Sequence, residues 1–286
     1  MSELIHCITN PISMMQCANA VLGMGDRPIM AEHPLEVKEI TNTASALLIN
    51  LGNISDSRME AMRISFETAL LKELPIVIDM VGIACSPLRR EFAYELLGKI
   101  SKKTECNARD NRTFILIKGN NAEIKALSDE CYKGQGVDAD IGLDFDDIVQ
   151  ASESLAKTFD ALILCTGEKD IVTDGKNTAF VSNGTPMMSQ ITGTGCMLGA
   201  ICACFLAKEK SLSSVIRATS FFGIAGEEAS DRLQNRPGEY RFKNLSEDYN
   251  KMGNGSFLIS LLDAISLTDA TAIDKKMKVE YKNKQY

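Results

Sequence analysis

An α/β fold, with one mainly parallel central sheet between helices on both faces, is predicted by three observations on this chain of 286 residues. Short runs of aliphatic and β-branched residues recur along its first half without polar alternation, as strands covered on both faces do. Segments of helical period separate these runs, and strand-helix-strand repeats of that kind close through right-handed crossovers. No Pro-, Gly- or Ser-rich linker interrupts the pattern, so residues 1–286 read as a single domain able to bury one large core.

The elements are justified in turn. Pro34 stands near a first helical turn before Glu36, and Ser55 or Asp56 begins a second helix ahead of Met59-Glu60-Ala61-Met62. Residues 46–50, 75–79, 113–118 and 161–165 are the clearest strands, each an apolar run such as Ile76-Val77-Ile78. Residues 101–112 are polar and aperiodic and read as a surface insertion. Asn120 and Glu123 have the spacing of a capping box for a helix over 122–127. Beyond Thr166-Gly167, residues 170–173 and 178–181 flank Asp174-Gly175, the signal of a hairpin. From Gly195 onward the chain reads as mostly helical, and the basic residues 275–286 read as a solvated tail.

Composition narrows the function classes. Acidic residues number 38 against 31 Lys and Arg, a net charge of −7. With no basic stripe or interleaved aromatics, nucleic acid is not an expected partner. No apolar run approaches a bilayer's thickness and Met1-Ser2-Glu3-Leu4-Ile5-His6 has no leader pattern, so a soluble, cytoplasmic protein is expected. Nine cysteines without Cys-x-x-Cys pairs argue against both a disulfide framework and a zinc site.

The stretch Gln190-Ile191-Thr192-Gly193-Thr194-Gly195-Cys196 runs into the apolar helix pattern Met197-Leu198-Gly199-Ala200. Two readings are open. The free amides of Gly193, Thr194, Gly195 and Cys196 form an anion hole at a helix start, where Cys196 ionises more easily than in water. Alternatively, this is a glycine turn followed by a small buried hydrophobe. Parallel α/β sheets bind ligands beyond the carboxyl ends of their strands, which selects Asp79, Lys118, Glu123 and Thr166. Together they form an inventory for magnesium-assisted phosphoryl transfer. Singly, each has an ordinary structural role: a loop hydrogen bond for Asp79, the capping box for Glu123, a surface cation, a turn hydroxyl. The Gly-Lys-Ser/Thr phosphate loop and the three-glycine dinucleotide fingerprint are both missing.

Several blocks in order carry a resemblance. They are His6-Cys7-Ile8-Thr9-Asn10, Ala18-Asn19, Pro28-Ile29-Met30-Ala31, Ala46-Leu47-Leu48-Ile49-Asn50-Leu51-Gly52, Asp79 with Val81-Gly82, Lys118-Gly119-Asn120 with Ala122-Glu123-Ile124, Thr166-Gly167, Thr192-Gly193-Thr194-Gly195-Cys196 and Gly255-Ser256-Phe257. Over nearly its whole length the chain resembles the hydroxyethylthiazole kinases of thiamine salvage, within the ribokinase-like superfamily. That resemblance implies a three-layer α/β/α kinase and a homotrimer with pockets between subunits. It implies that Met30, Gly193 and Asn19 meet the thiazole alcohol, Lys118 and Thr166 the ATP, and Asp79 and Glu123 the magnesium-bound phosphates. Cys196 takes the place where many superfamily members carry an aspartate base, which marks the thiazole branch.

Three departures stand beside the likeness. Lys118 replaces the family's arginine and loses its planar fork. Met80 replaces proline in the usual Asp-Pro-Val-Gly turn, and Met15-Gln16-Cys17 replaces Asn-Phe-Thr near the expected pocket wall. The reaction so implied is transfer of the ATP γ-phosphoryl group to the primary hydroxyl of 4-methyl-5-(2-hydroxyethyl)thiazole. The alternatives are another small-alcohol kinase of the superfamily, of hydroxymethylpyrimidine or pyridoxal type, an ATP-dependent repair dehydratase, or a non-catalytic thiazole or nucleotide sensor.

Overall fold

The computed structural model describes residues 2–106, 114–132, 144–234 and 253–282. Nine strands form one sheet: β1 (Leu4–Ile8), β2 (Arg27–Ile29), β3 (Ala46–Asn50), β4 (Ile76–Asp79), β5 (Ile115–Asn120), β6 (Leu162–Thr166), β7 (Asp170–Thr173), β8 (Thr178–Val181) and β9 (Val279–Tyr281). Their spatial order is β2-β1-β3-β4-β5-β6-β7-β8-β9. The first six run parallel, and β7, β8 and β9 add antiparallel at one edge.

The crossovers supply two layers of helices. On one face lie α1 (Met14–Gly23), α7 (Thr194–Lys208), α8 (Leu212–Gln234), α9 (Asn254–Leu267) and α10 (Ala270–Lys276); on the other lie α2 (Val37–Thr43), α3 (Asp56–Leu71), α4 (Pro87–Cys106), α5 (Asn121–Ser128) and α6 (Phe145–Phe159). Alternation along each strand divides the core. Leu48, Val77, Leu116 and Leu164 face the α7 side, whereas Leu47, Ile49, Ile76, Ile78 and Ile117 face the α3 side. Because both faces are covered, these strands read as unbroken apolar runs.

The start signals act as expected in two places. Ser55 caps α3 by accepting from the Arg58 N–H, and Asn120 with Glu123 closes a reciprocal capping box on α5. Pro34 lies in the turn before α2, whose first helical residue is Val37. Three readings need correction. Residues 101–106 continue α4 instead of opening an insertion, and the rest of that segment lies outside the described residues. The tail is not simply solvated, because β9 pairs with β8. Sequence periodicity also missed β1 and β2, the strands that complete the parallel edge.

Candidate active site

Polar residues converge where the parallel strands end. In register, Asn50 lies beside Asp79, Asp79 beside Lys118, and Asn120 beside Thr166. Asn50, Asp79, Lys118 and Thr166 each stand two residues beyond a side chain of the α7-facing core, so the pleat turns all four toward α7. That helix meets them closely. A Cβ on Gly195 would lie 3.7 Å from Lys118 Nζ, and one on Gly199 would lie 3.6 Å from Asp79 Oδ2.

The start of α7 is built by Gly193, whose φ of +95° is left-handed and whose added Cβ would come within 3.0 Å of Ser13 Cβ. The Thr194 hydroxyl bonds back to the carbonyls of Met188 and Ile191, which fixes the turn. Helix geometry leaves the N–H groups of residues 194–196 without an intrahelical acceptor, at the positive end of the dipole.

Beneath this turn sits a buried ion pair. Lys118 Nζ donates to Asp79 Oδ1 at 3.0 Å, with both side chains almost fully enclosed. Asn50 Nδ2 donates to Asp79 Oδ2 at 3.0 Å and to Cys196 Sγ at 3.2 Å, and Asn10 Nδ2 donates to the same sulfur at 3.4 Å. Glu123 spends both oxygens on backbone: Oε1 accepts from the Gly82 N–H and Oε2 from the Asn120 N–H, each at 2.8 Å. Sequence reasoning missed Asn10 and Asn50. The strand-end rule that selects Asp79 selects Asn50 equally well, whereas Asn10 needed β1 to be recognised.

Burial governs the protonation states. It opposes the Lys118 ammonium, but Asp79, Cys196 and Glu123 outweigh it and hold the lysine charged above its ordinary value. It also raises the Asp79 carboxyl, with Lys118 and Asn50 pulling the other way. Burial and then Asp79 push Glu123 up to about 7, against the amides of Asn120 and Gly82. The expected easily ionised thiol is corrected. Burial first, then Asp79, raise Cys196 from its ordinary value, and the helix start with its donors does not reverse this.

From the α7 turn a cleft of about 1120 Å³ opens past Thr166, Gly167, Asn121 and Leu198. Thr166 itself donates to the Gly119 carbonyl at 3.4 Å. Met30 follows β2 and packs half-buried on the α7-facing core. Asn19 is not brought to the cluster within one chain. It is exposed on α1, whose buried face carries Ser13, Cys17, Ala20 and Val21.

A parallel sheet, a buried Asp-Lys pair and a glycine-built amide turn beside a large cleft define a ribokinase-like small-molecule kinase. Comparisons with known proteins agree. The profile of the hydroxyethylthiazole kinase family matches residues 1–270. Hydroxyethylthiazole kinase 1 of Clostridium botulinum (strain Loch Maree) is 38% identical over 281 residues, covering 96% of this chain and 94% of the relative. Hydroxyethylthiazole kinase 2 of C. botulinum (strain Hall) is 42% identical over 229 residues, 78% of this chain and 82% of the relative. The solved hydroxyethylthiazole kinase protein of Pyrococcus horikoshii superposes with a TM-score of 0.79 at 28% identity, covering 98% of this chain and 94% of that one. The pyridoxal kinase of Bacillus subtilis shares the fold alone, with a TM-score of 0.58 at 16% identity. The chain belongs to the hydroxyethylthiazole kinase family.

Proposed function

We propose that this chain transfers the γ-phosphoryl group of ATP to the primary hydroxyl of 4-methyl-5-(2-hydroxyethyl)thiazole, giving the thiazole monophosphate used in thiamine salvage. The observation that carries this reading is the enclosed Asp79–Lys118 pair lying against the Gly193–Cys196 turn. ATP occupies the cleft with its phosphates at the turn, beside Thr166 and above Lys118. The alcohol enters from the Met30 side. Its oxygen attacks the γ-phosphorus as the bond to the β-bridging oxygen breaks, and ADP leaves with that electron pair. The amides of residues 194–196 and the Lys118 charge stabilise the negative charge on the transferring group.

Cys196 orients the alcohol hydroxyl as a thiol, with its sulfur fixed by two amide donors and its pKa raised, and the hydroxyl proton leaves late to an oxygen of the transferred phosphoryl group. Cys196→Ala is expected to lower kcat by roughly 10–100-fold, while Cys196→Asp stays active. Equal rates for the alanine and cysteine proteins in steady-state assays would remove that orienting role.

Among the described residues no three acidic, histidine or cysteine side chains converge on one point. Magnesium would be carried in on the nucleotide, because it keeps several waters and takes one or two carboxylates. Asp79 and Glu123 would hold it, and when bound it neutralises charge on the phosphates.

Assembly is part of the same proposal. Ile12, Met15, Asn19 and Leu22 are exposed at helical spacing along one stripe at α1. A homotrimer that buries this stripe brings Asn19 to a neighbour's alcohol pocket. Met15→Glu is expected to sediment as a monomer and to raise the KM for the alcohol by about tenfold or more, because a buried unpaired carboxylate is costly. A trimer with an unchanged KM would refute that arrangement. No described helix is long and apolar enough to cross a membrane, and a cytoplasmic site of action is proposed with the pathway.

ADP release measured against thiazole, pyrimidine, pyridoxal and sugar alcohols tests the assignment. The highest kcat/KM is expected for the thiazole alcohol. Preference for another acceptor, or no ADP release with saturating magnesium and ATP, overturns it.

A further inference from the structure

One wall of the cleft is formed by residues 182–186 with Met188 and Ser189, and it is held by a distant part of the chain. Asn183 sits in this loop yet is only 8% exposed. Its Nδ2 donates to the Lys276 carbonyl at 3.0 Å and to Glu227 Oε1 at 3.3 Å, while its Oδ1 accepts from the Lys278 N–H at 2.8 Å. Glu227 Oε1 also accepts from the Gly184 N–H at 2.9 Å and from Lys278 Nζ at 3.0 Å. The neighbouring Ser182 N–H donates to the Lys278 carbonyl at 2.9 Å. On the same cleft, Lys169 is ion-paired with Glu280 of β9.

The loop also presses against α8. A Cβ on Gly223 would fall 2.4 Å from the Asn183 carbonyl oxygen, so a bare backbone is required where loop and helix meet. Ser182, Asn183, Gly184 and Lys169 all line the cleft, and all are fastened to α8 or to residues 276–280.

We propose that Asn183 is a positioning residue through which residues 276–280, the end of α10 and the start of β9, brace the nucleotide wall of the cleft, so that this segment sets affinity for a nucleoside triphosphate and leaves alcohol affinity alone. The proposal rests on the reading of the cleft as the nucleotide site. A wall already fixed spares the nucleotide the entropy of ordering it. The chemistry stands on α7 and the strand ends, whereas the side-chain hydrogen bonds of Asn183 run to α8 and residues 276–278; the wall meets α7 at Met188, whose carbonyl accepts from the Thr194 hydroxyl.

Asn183→Ala is expected to raise the KM for ATP about tenfold while kcat and the KM for the alcohol stay within about twofold. Glu227→Gln, which keeps an acceptor but loses the charge facing Lys278, is expected to raise the same KM by about threefold. Binding is read separately with ADP. The chain contains no tryptophan, so Ser189→Trp on the exposed cleft rim supplies a single indole that can be excited apart from the tyrosines. Its emission should respond to ADP, with a Kd about tenfold weaker when Asn183→Ala is added. Parallel changes in all three kinetic constants, or no change in the KM for ATP in either variant, overturn the brace. An emission that ignores ADP in protein that still consumes ATP places the nucleotide elsewhere and overturns the cleft reading itself.

Discussion

Lys118→Met is expected to lower unfolding stability by about 3–5 kcal/mol in urea titrations, because it leaves the Asp79 carboxylate enclosed without its counter-charge. Asn50 then supplies the one side-chain donor that remains to it in the described structure. Adding Asp79→Asn removes the stranded charge and is expected to restore most of that stability. Turnover behaves differently. Both the single and the double variant are expected to fall by about a thousandfold or more, since the cation next to the α7 turn is gone in each. A double variant that regains activity along with stability would show that the pair serves folding alone.

Gly193→Val is the second large effect. The residue's left-handed backbone costs a branched side chain about 1–2 kcal/mol, and the 3.0 Å approach to Ser13 adds a clash that moves the turn. Displacing the amides from the transferring group is expected to lower kcat about 100-fold, with a smaller change in the KM for ATP. Loss of stability with kcat intact would mean that the amides of residues 194–196 do not hold the developing charge.

Much of this site was legible in the sequence because two simple rules converge there. Runs covered on both faces give away β3, β4, β5 and β6, and their polar successors Asp79, Lys118 and Thr166 fall on one edge by register. The capping box on α5 was readable because it depends on two residues three apart. What was hidden depends on tertiary context. β1 is five residues long with His6 at its centre, which bonds Thr41 and the Ala31 carbonyl across the fold. Asn10 and Asn50 acquire their roles only when the sheet sets them 3.1 Å apart beneath Cys196. The raised thiol pKa reflects how deeply α7 is enclosed, and a helix start seen in one dimension gives no measure of that.

The helix that carries the amide turn is also among the most enclosed elements of the fold, buried along nearly its whole length from Thr194 to Leu206. From Met197 onward, its backbone protons should therefore exchange with deuterated solvent only through openings close to global unfolding. Such a scaffold makes the anion-holding geometry as durable as the native state itself, and it leaves the flanking loops, not the catalytic turn, to supply whatever motion substrate entry and product departure require.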